Sequence, residues 1–128
     1  MKHNLKKAVI CLGLNDKVSK VQEIETGRAA GILSGLLCSR FYGATVTACK
    51  GIYTHDNGDQ VRENSFSIVL YFVTLEQVRD FAGELCRVFN QESVTIETVR
   101  RGWFGDRLTV EFFSPGNISS ITVSSRHR

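Results

Sequence analysis

The stretch from Ala44 to Phe72 constrains this chain more than any other, because it reads as two strands meeting at a tight turn. His55-Asp56-Asn57-Gly58-Asp59 concentrates residues that tolerate positive φ or hydrogen-bond their own backbone, so a β-hairpin is expected there. On the return arm Phe66, Ile68, Leu70 and Phe72 alternate with Ser65, Ser67, Val69 and Tyr71. That period of two puts one large apolar face against a core and leaves the other face small and polar. The outgoing arm points Val46 and Ala48 one way and Thr45, Thr47 and Cys49 the other, and Gly51 is a candidate for a bulge.

A strand and a helix are expected on each side of this hairpin. Ala8, Ile10, Leu12 and Leu14 share one face of a strand that Asn15 and Asp16 terminate with turn chemistry. Thr26 is the expected N-cap of a helix whose apolar stripe runs through Ala29, Ile32, Leu33, Leu36 and Leu37 to about Cys38. Gly27, Gly31 and Gly35 form a four-residue ridge on it, suited to close packing by another backbone such as a neighbouring subunit's. Thr74-Leu75-Glu76-Gln77 has the form of a capping box, followed by a core stripe of Val78, Phe81, Ala82, Leu85, Cys86 and Phe89. Arg79, Asp80, Glu84 and Arg87 make up its solvated face, and Asn90 ends it in a left-handed conformation. Ser93 to Val99 is the next strand, which delivers Arg100 and Arg101 to its far end.

The order strand, helix, strand, strand, helix, strand implies an α+β chain of ferredoxin-like split βαβ type (βαββαβ). One domain spans 1–128, with a core over 7–101 and a C-terminal extension over 102–128 that has strand-like runs at Leu108, Val110 and Phe112 and at Ile118 to Val123. Both helices should cover one sheet face. The opposite face, with Val9, Cys11, Thr45, Thr47, Val69, Tyr71, Thr95 and Glu97, is too apolar for comfortable exposure and suits another chain or a ligand.

Chemistry is sparsely signalled. Sixteen basic and 13 acidic residues leave a formal charge of +3, which permits phosphate ligands without announcing a nucleic-acid coat protein. Cysteines 11, 38, 49 and 86 have no CxxC spacing and fit buried thiols in a reducing compartment better than a zinc site, so no metal is expected. No apolar run is long enough to span a bilayer and the N-terminus lacks a signal-peptide pattern, so a cytoplasmic protein without membrane partners is expected. Histidines 3, 55 and 127 pair with no nucleophile, and P-loop and Rossmann glycine motifs are absent, so neither catalysis nor a cofactor is expected. Lys50-Gly51-Ile52-Tyr53 superficially matches part of an RNA-recognition signature, but the open face of the central strands, where stacking aromatics belong, offers only Tyr71 beside serine and valine, which argues against DNA or RNA.

A set of arginines and polar turn residues remains, the latter being Asn15, Asn57 and Asn90. Arg28 lies in a first helical turn, where a cation is disfavoured; it either pairs with Glu23 or Glu25 or faces a phosphate together with the helix amides. Arg62, Arg100, Arg101 and Arg107 suit bidentate phosphate recognition, Asn90 could read a base, and Phe81 or Trp103 could stack one. For each arginine the plain alternative is a solvated surface charge.

Gly13-Leu14-Asn15-Asp16-Lys17, the run from Gly43 through Lys50-Gly51-Ile52-Tyr53-Thr54-His55-Asp56-Asn57-Gly58, Val61-Arg62-Glu63-Asn64, and Phe89-Asn90-Gln91-Glu92-Ser93-Val94 together resemble the first Thoeris anti-defence family of bacteriophages. The resemblance covers roughly residues 8 to 100. It implies a non-enzymatic sponge in the host bacterial cytoplasm, a hexamer that sequesters cyclic signalling nucleotides: a glycosidic cyclic ADP-ribose isomer, cyclic dinucleotides and cyclic trinucleotides. The alternative is a small ferredoxin-like enzyme acting on nucleotides or other small anionic substrates.

Two outcomes follow from the residues themselves. Gly58→Val should destabilise the hairpin and lower the melting temperature, since a β-branched residue resists the positive φ that the turn requires; an unchanged melting temperature would contradict that turn. Light scattering should show an oligomer at micromolar concentration, and a stable monomer would contradict the reading of the open face as an interface.

Overall fold

The computed structural model describes residues 4–54 and 56–124. His3, His55 and His127 lie outside them. Eight elements follow in order: β1 (Lys7–Gly13), α1 (Thr26–Arg40), β2 (Thr45–Thr54), β3 (Gln60–Leu70), α2 (Leu75–Val88), β4 (Val94–Gly102), β5 (Gly105–Ser114) and β6 (Asn117–Ser124). The strands form one six-stranded sheet in the order β2-β3-β1-β4-β5-β6, with every pairing antiparallel. The protein is therefore α+β, with two helices and a single antiparallel sheet.

Alternation along the central strands decides which face is dry. Ala8, Ile10 and Leu12 of β1, Phe66, Ile68 and Leu70 of β3, and Val94 and Ile96 of β4 are buried in one cluster with Ala29, Leu33 and Leu37 of α1 and Val78, Phe81, Ala82 and Leu85 of α2. The intervening residues Val9, Cys11, Gly13, Ser67, Val69, Thr95 and Glu97 face the other way and stay partly exposed. Both helices thus lie on one face and leave the other open.

Several local features differ from the sequence expectation. The side chain that caps α1 is Glu25, whose carboxylate accepts from the backbone N–H of Gly27 and Arg28, while Thr26 is already helical. Gly51 forms no bulge, because β2 and β3 keep one register from Thr45↔Val69 to Thr54↔Gln60. β3 stops at Leu70, and Phe72 turns outward at φ 56° with 75% of its surface exposed. The 102–128 extension contributes two full strands, β5 and β6. Arg79 is not simply solvated: its guanidinium donates to the carboxylate of Glu111 on β5, which is only 2% exposed, and that bond holds the arginine's pKa above its ordinary value. Of the cysteines only Cys86 is buried; Cys11, Cys38 and Cys49 are exposed.

Three other local expectations hold. Thr74 and Gln77 form the capping box of α2 in both directions, Asn90 takes φ 49° just past its end, and Gly58 takes φ 91° at the hairpin turn. Among the described residues no helix is long and apolar enough to cross a membrane. Gly31 and Gly35 face open space within the chain.

Phe81 is the largest fully buried side chain, its ring edge-on to Phe41 at 5.2 Å between centroids. That burial corrects its assignment to a ligand site: a ring spent on the core has no face for a base. Phe81→Ala should destabilise the fold by about 3 to 5 kcal/mol, read as a lowered denaturant midpoint; an unchanged midpoint would contradict this packing.

Candidate functional site

On the open face, where β1 runs out and the β2–β3 hairpin continues beyond it, lies a cavity of about 500 Å³. Its floor is set by strand register. Gly13 of β1 pairs with Ser65, Gly51 of β2 with Glu63, and Tyr53 with Val61, so small positions surround one carboxylate. A Cβ on Gly13 would come within 2.7 Å of the Glu63 carboxylate atoms, and one on Gly51 would lie 2.9 Å from Ser65 Oγ and 3.4 Å from Glu63 Cγ. The glycines therefore leave the volume that the glutamate occupies. Its Oε2 accepts a hydrogen bond from the backbone N–H of Asn15 at 3.0 Å.

The wall opposite the hairpin comes from the two ends that meet there, the loop after β1 and the segment between α2 and β4. Asn15, Asp16, Lys17 and Lys20 contribute from the first and Gln91, Glu92 and Ser93 from the second. They are tied together. Asn90 Nδ2 donates to Asp16 Oδ1 at 2.7 Å, Lys17 N–H to the Asn90 carbonyl at 3.0 Å, and Gln91 Nε2 to the Asn15 carbonyl at 2.7 Å. The Asn90 amide, then the backbone N–H groups of Ser19 and Val18, hold the Asp16 carboxyl below the usual carboxylate range. Burial, followed by the nearby Glu63 charge, pushes the Tyr53 phenol up, so it stays a neutral hydroxyl beside that carboxylate. Burial likewise raises the Cys11 thiol on the cavity floor, with Cys49 and Glu97 adding to it.

The arrangement supplies fixed acceptors in a partly dry hollow and suits a ligand with ammonium or hydroxyl donors. Among the described residues no cluster of His, Cys, Asp or Glu could hold a metal ion.

None of the arginines, nor Asn90, Phe81 or Trp103, lines this cavity, whereas Cys11 and Thr95 of the open face and the turn residues Asn15 and Asp16 do. Arg28 is exposed in the first turn of α1, and the anion that turn requires is already present, since Glu25 occupies the Gly27 and Arg28 amides. Asn90 lines a smaller hollow of about 230 Å³ with Leu14, Asp16 and Phe89. Arg62 is exposed on β3 and alternates with Glu63, so it points to the other side. Arg100 and Arg107 oppose each other across β4 and β5, and Arg101 opposes Asp106. These lie with Trp103, 91% exposed, at the end of the sheet away from the cavity. Glu63, Gly13 and Gln91 enter the sequence reading only through the family resemblance, Gly51 as a bulge candidate and Asn15 as a turn residue. A signal for Glu63 existed: it is an acid in phase with the small polar face of the hairpin, directly across from a glycine.

No protein-family model matches this chain, and neither does any curated protein. Two solved structures share its fold. A phage SAM lyase in complex with S-methyl-5'-thioadenosine superposes with a TM-score of 0.56 at 22% identity over 93% of this chain and 88% of that one. A phage SAM lyase in the apo state gives 0.56 at 20% identity over 95% and 90%. Both are phage proteins, yet the similarity does not run to a cyclic-nucleotide sponge. The structures that share this fold are named as lyases, and on that finding the non-enzymatic, sequestering reading is withdrawn.

The cradle makes a sharp prediction. Gly13→Ala should fold, because the atom it displaces is the end of a flexible side chain, but should push the Glu63 carboxylate off the Asn15 amide. An amide NMR spectrum in which the Asn15 resonance stays in place would contradict this geometry.

Proposed function

We propose that this protein is an enzyme that cleaves S-adenosylmethionine as a lyase, releasing S-methyl-5'-thioadenosine. The observation that carries the reading is Glu63, a carboxylate set between two glycines at the floor of the open-face cavity. The shared fold with phage SAM lyases supports it. The strand order β2-β3-β1-β4, with helices joining β1 to β2 and β3 to β4, supports the split βαβ description of the core.

S-adenosylmethionine joins a purine, a ribose, a sulfonium and an α-amino acid. About 500 Å³ lies within the usual range for a ligand of this size. Tyr53 and Val61, paired across β2 and β3, offer an apolar wall for the purine; Glu63, Asp16 and Glu92 offer acceptors for the α-ammonium and ribose hydroxyls; Lys17 and Lys20 suit the carboxylate.

In the reaction the bond from sulfur to the amino-acid side chain breaks with its electron pair passing to sulfur, so the nucleoside leaves as a neutral thioether. The substrate's own carboxylate satisfies the carbon left behind. One C–O bond forms as the C–S bond breaks, the two charges cancel, and no proton moves. Because the sulfonium charge fades in the transition state, a carboxylate set against sulfur would stabilise the ground state more than the transition state. Glu63 is therefore assigned to the α-ammonium, whose charge persists and whose anchoring sets the angle of ring closure.

Incubation with S-adenosylmethionine followed by chromatography should show S-methyl-5'-thioadenosine accumulating. Glu63→Gln should lower kcat/KM by roughly 30-fold or more, the loss of about 2 kcal/mol expected for one partner of a desolvated charged contact. Substrate returned intact by the wild type, or full activity in the variant, would overturn the reading.

A further inference from the structure

Gln91 is a primary amide only 8% exposed in the cavity wall, and it is not one of the acids assigned to the substrate. Burying such a group is unfavourable unless its donors are met. Its Nε2 donates to the Asn15 carbonyl at 2.7 Å and to the Phe89 carbonyl at 3.2 Å, while its backbone N–H bonds the Cys86 carbonyl at 2.8 Å. The side chain is thereby anchored to the end of α2 and reaches across to the loop after β1.

Asn15 is the residue whose N–H holds Glu63. Its peptide is restrained from both sides. On the N-terminal side the Leu14 N–H donates to the Asn64 carbonyl of β3 at 3.0 Å; on the C-terminal side the only side-chain donor to the Asn15 carbonyl, among the described residues, is Gln91. The N–H of the same Asn15–Asp16 peptide is held within the loop, donating to the Val21 carbonyl at 2.8 Å, so loss of the Gln91 donor releases the carbonyl end and lets the loop that carries the Asn15 N–H shift against the carboxylate.

We propose that Gln91 is a positioning residue for Glu63, acting through the Asn15 backbone to fix the carboxylate that receives the substrate's ammonium. The inference rests on the lyase reading of the same cavity. The Gln91 amide spends its donors on the Asn15 and Phe89 carbonyls and so sets the direction in which Glu63 presents its oxygens. The site is thus built across the fold, from the end of α2 through the β1 loop to β3.

The test is a double-mutant cycle read as a ratio of affinities. Calorimetry gives the wild-type preference for sinefungin, an amine-bearing analogue of S-adenosylmethionine that cannot release a thioether, over neutral S-methyl-5'-thioadenosine. Gln91→Met, close in size but without donors, should reduce that preference about tenfold while leaving affinity for the neutral ligand within twofold. In the Glu63→Gln background the same change should leave the ratio unaltered, because the carboxylate it positions is gone. A merely structural role would weaken both ligands together, and an independent contact would reduce the ratio in either background; each result overturns the proposal. Should Gln91→Met fail to fold, Gln91→Asn, which keeps the donors on a shorter reach, replaces it under the same criteria. Wild-type protein that binds neither ligand would instead sink the lyase reading, so the two failures are distinguishable.

Discussion

Everything in this structure hangs on β1 pairing along both edges, with β3 on one side and β4 on the other. Only a strand so placed can bury Ala8, Ile10 and Leu12 completely on the helix side. Its alternate residues, Val9, Cys11 and Gly13, must then appear at the centre of the open face. The core and the candidate site are therefore consequences of one alternation, and a slip of one residue would exchange them. The β2–β3 hairpin outruns β1 at the end marked by Gly13, and the hollow that results is where Glu63 sits.

The site is assembled from segments remote in sequence. Glu63 comes from β3, the amide that holds it from residue 15, and the side chain that restrains that residue from position 91. A short sequence motif carries none of this. Glycines at 13 and 51 provide room rather than turns, since each leaves space for a side chain on another strand. Both are strand residues in which the usual loss of glycine is offset by a group brought close.

That distribution explains what was legible in the sequence. Period-two alternation located β1 and β3, and helical spacing located α2 with its capping box, because these depend on neighbours a few residues apart. Arg28 drew attention as a cation where an anion belongs, but the anion was Glu25, three residues before it, acting as a cap. Phe81 fits both a core stripe and a ligand site by sequence, and the core reading holds because Val78, Ala82, Leu85 and Cys86 on the same side of α2 are buried with it. The arginines of β4 and β5 were grouped by charge alone, whereas the strands carry them to the end of the sheet away from the hollow. Glu63 was missed because a lone acid on a strand becomes meaningful only when register sets it across from a glycine.

The central claim is that the hollow beside Glu63, and not the surface near Arg28, receives a methylthio nucleoside. Intermolecular NOE measurement with S-methyl-5'-thioadenosine tests it directly. The account predicts cross-peaks from the ligand to the Tyr53 ring and the Val61 methyl groups. Cross-peaks confined to the first turn of α1 around Arg28, with none to Tyr53 or Val61, would contradict it.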